Sequence, residues 1–158
     1  MALPYAEQRD WGITQLEREQ LIACVQETHS DENIEAAVPY EGAAEAIRRW
    51  HEAGHFIHVT SHRREQCAPA THRWLEAAKI PYDDLHCSFD KLSRCVELDI
   101  DVLVDDSPVN IAGARERGMV AATILHPWNE DLVGAGDDGV IAAREWPELE
   151  RRLTPFLT

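Results

Sequence analysis

Basic residues are scarce in this chain. Fifteen lysines and arginines stand against 29 aspartates and glutamates, for a formal net charge of −14. A chain this acidic has no general grip on nucleic-acid polymers or anionic membranes, both of which call for basic patches. Long apolar runs are missing as well. None approaches the ~20 residues that span a bilayer, and the N-terminus lacks a basic-then-apolar signal. The four cysteines, Cys24, Cys67, Cys87 and Cys95, show no C-x-x-C spacing. They read as thiols of a reducing compartment and argue against a zinc site. The expectation is a soluble cytoplasmic protein. A small phosphorylated partner stays open, because a local cation overrides the mean field.

The 158 residues suffice for one domain with a real core. Thr14 and Glu17 form a T-x-x-E capping-box pair ahead of LEREQLIACVQE, in which Leu16, Leu21, Ile22 and Val25 share a helical face. This helix should fray near Ser30-Asp31. Pro39 and Gly42 open a second helix, AAEAIRRWHEA, which Gly54 stops. HFIHVTSHR changes period: Phe56, Ile57 and Val59 fit a mostly buried strand with a polar end. A helix follows from about Arg63 or Pro69 to Lys79, the choice of start left open by the interruption at Pro69. Then come a strand near Leu85-His86-Cys87, a helix from Lys91 to about Val96 and the strand Val102-Leu103-Val104. Ser107-Pro108 caps a helix that closes at Gly118. MVAATIL and GVIAA read as strands and WPELERRL as a last helix. Strand and helix alternate from Gly54 onward, which predicts an α/β fold: a parallel sheet with helices on both faces.

Such sheets hold ligands beyond the carboxyl ends of their strands. That rule chooses between the two acidic pairs of LDIDVLVDDSPVN. Asp99 and Asp101 enter a strand at its amino end, whereas Asp105 and Asp106 leave it at its carboxyl end. The four steps from Asp101 to Asp105 span roughly 13 Å at ~3.3 Å per residue, so the pairs do not share a site. Asp99 and Asp101 read as a solvated turn, and Asp105 and Asp106 as the functional pair. Thr60 and Ser61 stand where another strand stops and offer hydroxyls and backbone N–H groups to an anion. Lys91, after Phe89-Asp90, neutralises a phosphate as a point charge.

The histidines His51, His55, His58 and His62 lie on a helix end and a strand and do not converge, so core or surface roles are expected. His62 is the one placed to meet a substrate. Arg63-Arg64 reads equally as a substrate contact or a solvated helix start. The five tryptophans are scattered and read as packing, except Trp128 in HPWN, which follows a strand end and would flank the site.

Taken together, HVTSHR, FDK and VLVDDSPVN resemble the second, third and fourth motifs of the haloacid dehalogenase (HAD) superfamily of phosphotransferases. THRWLEAAKIPYDDLHCSFDK and HPWN resemble its cytosolic-type 5'(3')-deoxyribonucleotidases and nucleotidase-like members. The resemblance covers roughly residues 39 to 157. It implies a HAD-like Rossmannoid core over residues 39–158, with residues 1–38 a small helical cap remnant. It also implies a magnesium-dependent hydrolase of phosphate monoesters, nucleotides among them, that works through a phospho-aspartate. Thr60 would bind the phosphoryl oxygens with help from Ser61, with His62 beside them, and Lys91 would offset their charge. Asp105 would bind Mg²⁺, and Asp106 would support its hydration shell. A homodimer is compatible with this reading.

The family's first motif has no match. That motif is an apolar strand ending in D-x-D, which supplies the nucleophile and the general acid/base. Asp10 precedes Trp11-Gly12 with no apolar strand leading into it, and Asp31-Glu32-Asn33 lies in a polar turn. In the family this strand lies mid-sheet, between the strands that here end at Thr60 and Asp105. Without it, those two pair directly or leave buried backbone groups unpaired at ~1–3 kcal/mol each. Either the chain starts downstream of its natural start, or it is a degenerate relative that binds phosphate or regulates without catalysis. PYAEQRDWGI and the first helix resemble the cap segment that follows the first motif, which favours the former.

Overall fold

The computed structural model describes residues 16–130 and 139–157. In order, these form helix α1 (Arg18–Thr28), α2 (Asp31–Glu35), α3 (Ala43–Glu52), strand β1 (His58–Ser61), α4 (Ala68–Ala77) and β2 (Asp84–Cys87). They continue with α5 (Lys91–Glu97), β3 (Val102–Val104), α6 (Pro108–Glu116), β4 (Val120–Ile124), β5 (Val140–Ala143) and α7 (Trp146–Leu153). Every described strand pair is parallel.

The α/β alternation follows the sequence periods. Leu103 and Ala121 point to one face of the β3–β4 sheet and pack with Cys95 of α5 and Ile111 and Ala114 of α6. Val102, Val104 and Ala122 alternate to the other face and meet Leu149 and Leu153 of α7 and Trp50 of α3. Helices therefore cover both faces, as fully apolar parallel strands require. A third cluster joins Ile34 of α2 to Cys67, Ala70 and Trp74 at α4. Gly54 and Gly118 take φ of 95° and 82° just past α3 and α6, in the left-handed region that glycine enters without a Cβ clash. No helix among the described residues is long and apolar enough to cross a membrane.

Several local expectations need correction. The first capping box joins Glu17 to Gln20, while Thr14 lies outside the described residues. Of the two starts open for α4, Arg63 and Pro69, the helix takes the later one: Pro69 lies in its first turn, where a missing N–H costs nothing. Phe56 is 54 % exposed and precedes the strand, since Ile57 N is tied down by the Asp83 carboxylate at 2.7 Å. Ser107 occupies the N-cap position of α6, but its side chain makes no cap bond. Asp105 Oδ1 instead accepts from Ser107 N at 2.9 Å.

The larger departure is in the sheet. The strands form two sheets, β1–β2 and β3–β4–β5, rather than one. The strands ending at Thr60 and Val104 do not pair. A cleft of about 370 Å³ separates them, with Ile57–Thr60 on one wall and Asp99–Val104 on the other.

Candidate functional site

The carboxyl ends of β1, β2 and β3 come to one edge. Thr60 and Ser61 close β1, and their register partners His86 and Cys87 close β2. Ser61 O accepts from Ser88 N at 3.0 Å, which leads the chain directly into α5. Asp90 caps that helix: Oδ1 accepts from Ser93 N at 3.1 Å and Oδ2 from the Ser93 hydroxyl at 2.6 Å. Lys91 is therefore fixed in the first turn of α5. Its Nζ donates to Asp105 Oδ2, one residue past β3, at 2.8 Å. The Lys91 and Asp105 side chains are 11 % and 5 % exposed, so this is a buried ion pair.

Asp105 has little coordination capacity left. Besides Lys91 at Oδ2, its Oδ1 accepts from Ser107 N at 2.9 Å and from Asn110 Nδ2 at 3.0 Å. Asp106 is exposed. Among the described residues, no group of three or more His, Cys, Asp or Glu side chains is gathered as a metal site. Two carboxylates, one already engaged with an ammonium, are too few for a hard cation that prefers six oxygens. The described residues do not fit Mg²⁺ unaided.

The anion-facing groups are better assembled. The buried Thr60 Oγ1 has no hydrogen-bond partner. The His62 ring meets Phe89 edge-on at 4.7 Å. Burial, then the Lys91 and His29 charges, hold the His62 pKa below its usual value against the pull of Asp105. His62, Lys91 and Asp105 therefore share one electrostatic environment. His29 is lowered by burial and then by Arg63 and Arg64. On an acidic protein, these cations gather beside one strand edge. A cavity of about 430 Å³ adjoins them, lined by His29, Ser30, Arg64, Gln66 and Phe89 among others.

The four histidines separate. His51 Nε2 lies 3.5 Å from Asp83, and His58 Nδ1 lies 3.0 Å from Asp84. Asp99 and Asp101 are exposed at the amino end of β3, with Asp99 at φ 53°.

Two asparagines escaped the sequence reading although both lie in stretches it singled out. Asn110 orients Asp105. Asn129, 1 % exposed, ties the loop after β4 to the Asp106 carbonyl at 3.1 Å. Trp128 stacks on His126 at 4.4 Å in the same loop, and Tyr40 meets His126 at 5.6 Å, so this aromatic group borders the acidic turn.

His58 makes a pH prediction. Its side chain is 2 % exposed, and burial lowers its pKa more than Asp84 raises it. The unfolded chain takes up this proton first. The contribution of His58 is thus present above its unfolded pKa of ~6.5 and lost as pH falls through the lower folded value. Between pH 7.5 and 5.5, the urea midpoint of His58→Asn should fall less than that of the wild-type chain. Identical pH dependence would show that His58 is equally protonated in both states.

No family model matches the chain, and no curated protein matches it.

Proposed function

We propose that this chain carries the phosphate-binding side of a HAD-like hydrolase of phosphate monoesters, nucleotides among its substrates. The supporting observation is the meeting of the buried Lys91–Asp105 pair with the Thr60 strand end and His62 at one carboxyl edge. Phosphoryl transfer depends chiefly on positioning and charge neutralisation. Thr60 Oγ1, which has no partner, donates to a phosphoryl oxygen; Ser61 assists; Lys91 Nζ shares its protons between Asp105 and the phosphate. The leaving group occupies the adjoining cavity, against Phe89.

The attacking carboxylate is not Asp105, whose oxygens are engaged with Lys91, Ser107 and Asn110. The phospho-aspartate route requires an acidic pair beside Thr60 and Asp105, and Mg²⁺ enters the proposal only together with those added carboxylates. The saturation of Asp105 also supports a second reading, a phosphate-binding or regulatory protein without catalysis.

Titration with orthophosphate, followed by amide NMR, should move Thr60, Ser61, His62 and Lys91. Thr60→Val should weaken this binding about tenfold, the order expected for a charge-assisted hydrogen bond. The 158-residue chain should not turn over p-nitrophenyl phosphate or deoxynucleoside monophosphates. Phosphate shifts confined to other residues would remove both readings. Robust turnover that survives Asp105→Asn and Asp106→Asn would show that a nucleophile is already present in the chain.

A further inference from the structure

We propose that the cavity beside Phe89 binds a second anionic group, so that the preferred ligands are phosphate monoesters whose leaving group carries its own carboxylate or phosphate. This deepens the phosphate-monoester reading and rests on it for the position of the first phosphate. The cavity, of about 430 Å³, lies between α1 with the turn after it and the segments that follow β1 and β2. Its lining is of two kinds. Ile22, Val25 and Phe89 offer apolar surface, and His29, Arg64 and Gln66 offer polar atoms.

Two arginines here lack a carboxylate. Arg49, Arg73, Arg94, Arg144 and Arg152 each pair with Asp or Glu, as a chain with 29 acidic residues allows. Arg63 and Arg64 pair with no acid among the described residues. Arg63 is half-buried, and its guanidinium donates to the Thr71 hydroxyl at 3.3 Å. Thr71 in turn donates to Cys67 O at 2.9 Å, and Cys67 lines the cavity. The Arg63 charge is therefore held beside the cavity wall. A guanidinium drawn partly out of water without a counterion is costly, and an anion offsets that cost.

Arg64 lines the cavity directly and makes no side-chain bond among the described residues. Both guanidinium groups repel a proton on His29, which shares the lining. Asp31, the single acid of that lining, already accepts from Arg73 at 3.0 Å. An uncharged leaving group would lie against Phe89 and leave both arginines unmatched. A carboxylate or phosphate at its far end accepts the Arg64 fork, which suits either group. Phe89 also joins the two anion sites. Its ring meets His62 at 4.7 Å on one side of the cavity mouth, and Lys91 follows it by two residues.

Three ligand pairs, each differing by one anionic group, test this on the intact chain by titration calorimetry at fixed ionic strength. They are 3-phosphoglycerate against glycerol 3-phosphate, 6-phosphogluconate against glucitol 6-phosphate, and fructose 1,6-bisphosphate against fructose 6-phosphate. In at least one pair the ligand with the second anion should bind about tenfold more tightly, the order expected for charge-assisted hydrogen bonds from one arginine. A preference confined to the first two pairs identifies the second anion as a carboxylate, and one confined to the third identifies it as a phosphate. Arg64→Gln should bring the ratio to near one. Arg64→Lys, which keeps the charge and loses the fork, should leave it intermediate. Arg64 is exposed, so both variants should fold with the wild-type urea midpoint. Arg151→Gln, an equal loss of charge on the exposed side of α7, should keep the full ratio, which separates a site from the general field.

Ratios near one in all three pairs, a ratio that survives Arg64→Gln, or a ratio lost equally in Arg151→Gln would each overturn the proposal. Amide NMR of the same titrations tells its failure from that of the phosphate reading. Shifts at Thr60, Ser61, His62 and Lys91 without any preference within the pairs keep the phosphate reading and remove the second anion site. Shifts at His29 and Arg64 alone, with a preference that Arg64→Gln abolishes, keep the anion cavity and remove the phosphate reading.

Discussion

Lys91→Met should destabilise the chain by about 3 kcal/mol, and Asp105→Asn by a similar or larger amount. Removing one member of a buried ion pair leaves an uncompensated charge, at a cost of roughly 3–5 kcal/mol. The Lys91 ammonium and the Asp105 carboxylate are 2.8 Å apart, with side chains 11 % and 5 % exposed, so solvent does little to soften that loss. In Lys91→Met, Asp105 keeps the bonds from Ser107 N and Asn110 Nδ2, which holds the cost near the lower limit. In Asp105→Asn, the new carboxamide oxygen retains those same two donors, but its NH₂ faces the ammonium. Lys91 then stays charged without an acceptor.

The double variant separates pairing from packing. With Met at position 91 and Asn at position 105, no buried charge remains, and the carboxamide oxygen still serves Ser107 and Asn110. The double variant should lose less than the sum of the single losses, with a coupling of about 2 kcal/mol, within the range for neighbours sharing a network. Urea unfolding of the four proteins measures this directly. Losses that add to within about 0.5 kcal/mol would mean that the pair contributes no mutual stabilisation, and that Lys91 is free for a ligand at no cost to the fold. At ~2–4 °C per kcal/mol for a chain of this size, each single variant should also melt roughly 6–12 °C lower.

The Lys91–Asp105 contact behind that prediction is legible in the sequence. Thr60, Lys91 and Asp105 stand at strand ends or a helix start, and the carboxyl-end rule assigns them to one edge. It likewise places Asp99 and Asp101 at the other end, where they are exposed beside the amino end of β3. Period and punctuation gave α3, α5, α6 and α7 nearly to the residue, because Gly54, Gly118 and the prolines at 108 and 147 act locally. Sheet pairing is a non-local property, and the alternation of elements does not say which strands are neighbours. The sequence allows two outcomes for the Thr60 and Asp105 strands, direct pairing or unpaired edges; the structure takes the second, with a cleft between them. Nor does sequence reveal how many lone pairs of a carboxylate are already used. Asp105 reads as a free metal ligand in VLVDDSPVN, and only its three partners show that it is not free.

Asn129 is the clearest case of a residue hidden behind a more conspicuous neighbour, and its substitution should have the second large effect. In HPWN the tryptophan draws attention, yet Trp128 is 36 % exposed and Asn129 is 1 % exposed. Asn129 Oδ1 accepts from His126 N at 2.7 Å. Its Nδ2 lies 3.1 Å from each of three acceptors: Asp106 O, Thr123 Oγ1 and Ile124 O. The two amide hydrogens are shared among them. The amide orientation is fixed by its neighbours, because the reverse would set its oxygen against two carbonyl oxygens. Asn129 thus joins the end of β4, the turn that follows and the backbone of Asp106. Asn129→Ala leaves His126 N and two carbonyls, all partly buried, without this partner, at ~1 kcal/mol each, so a loss of about 3 kcal/mol is expected. Asn129→Asp is the sharper test. It is nearly isosteric and keeps the acceptor for His126 N, but it replaces the donor by a carboxylate facing two carbonyl oxygens. It should therefore be at least as destabilising as Asn129→Ala, and amide exchange should accelerate at Asp106, Ser107 and His126 before the rest of the core opens. A packing role alone predicts the opposite order, with the isosteric aspartate milder than alanine. Urea midpoints in that order, with exchange at Asp106 unchanged, would show that this side chain fills space and does not hold the acidic turn.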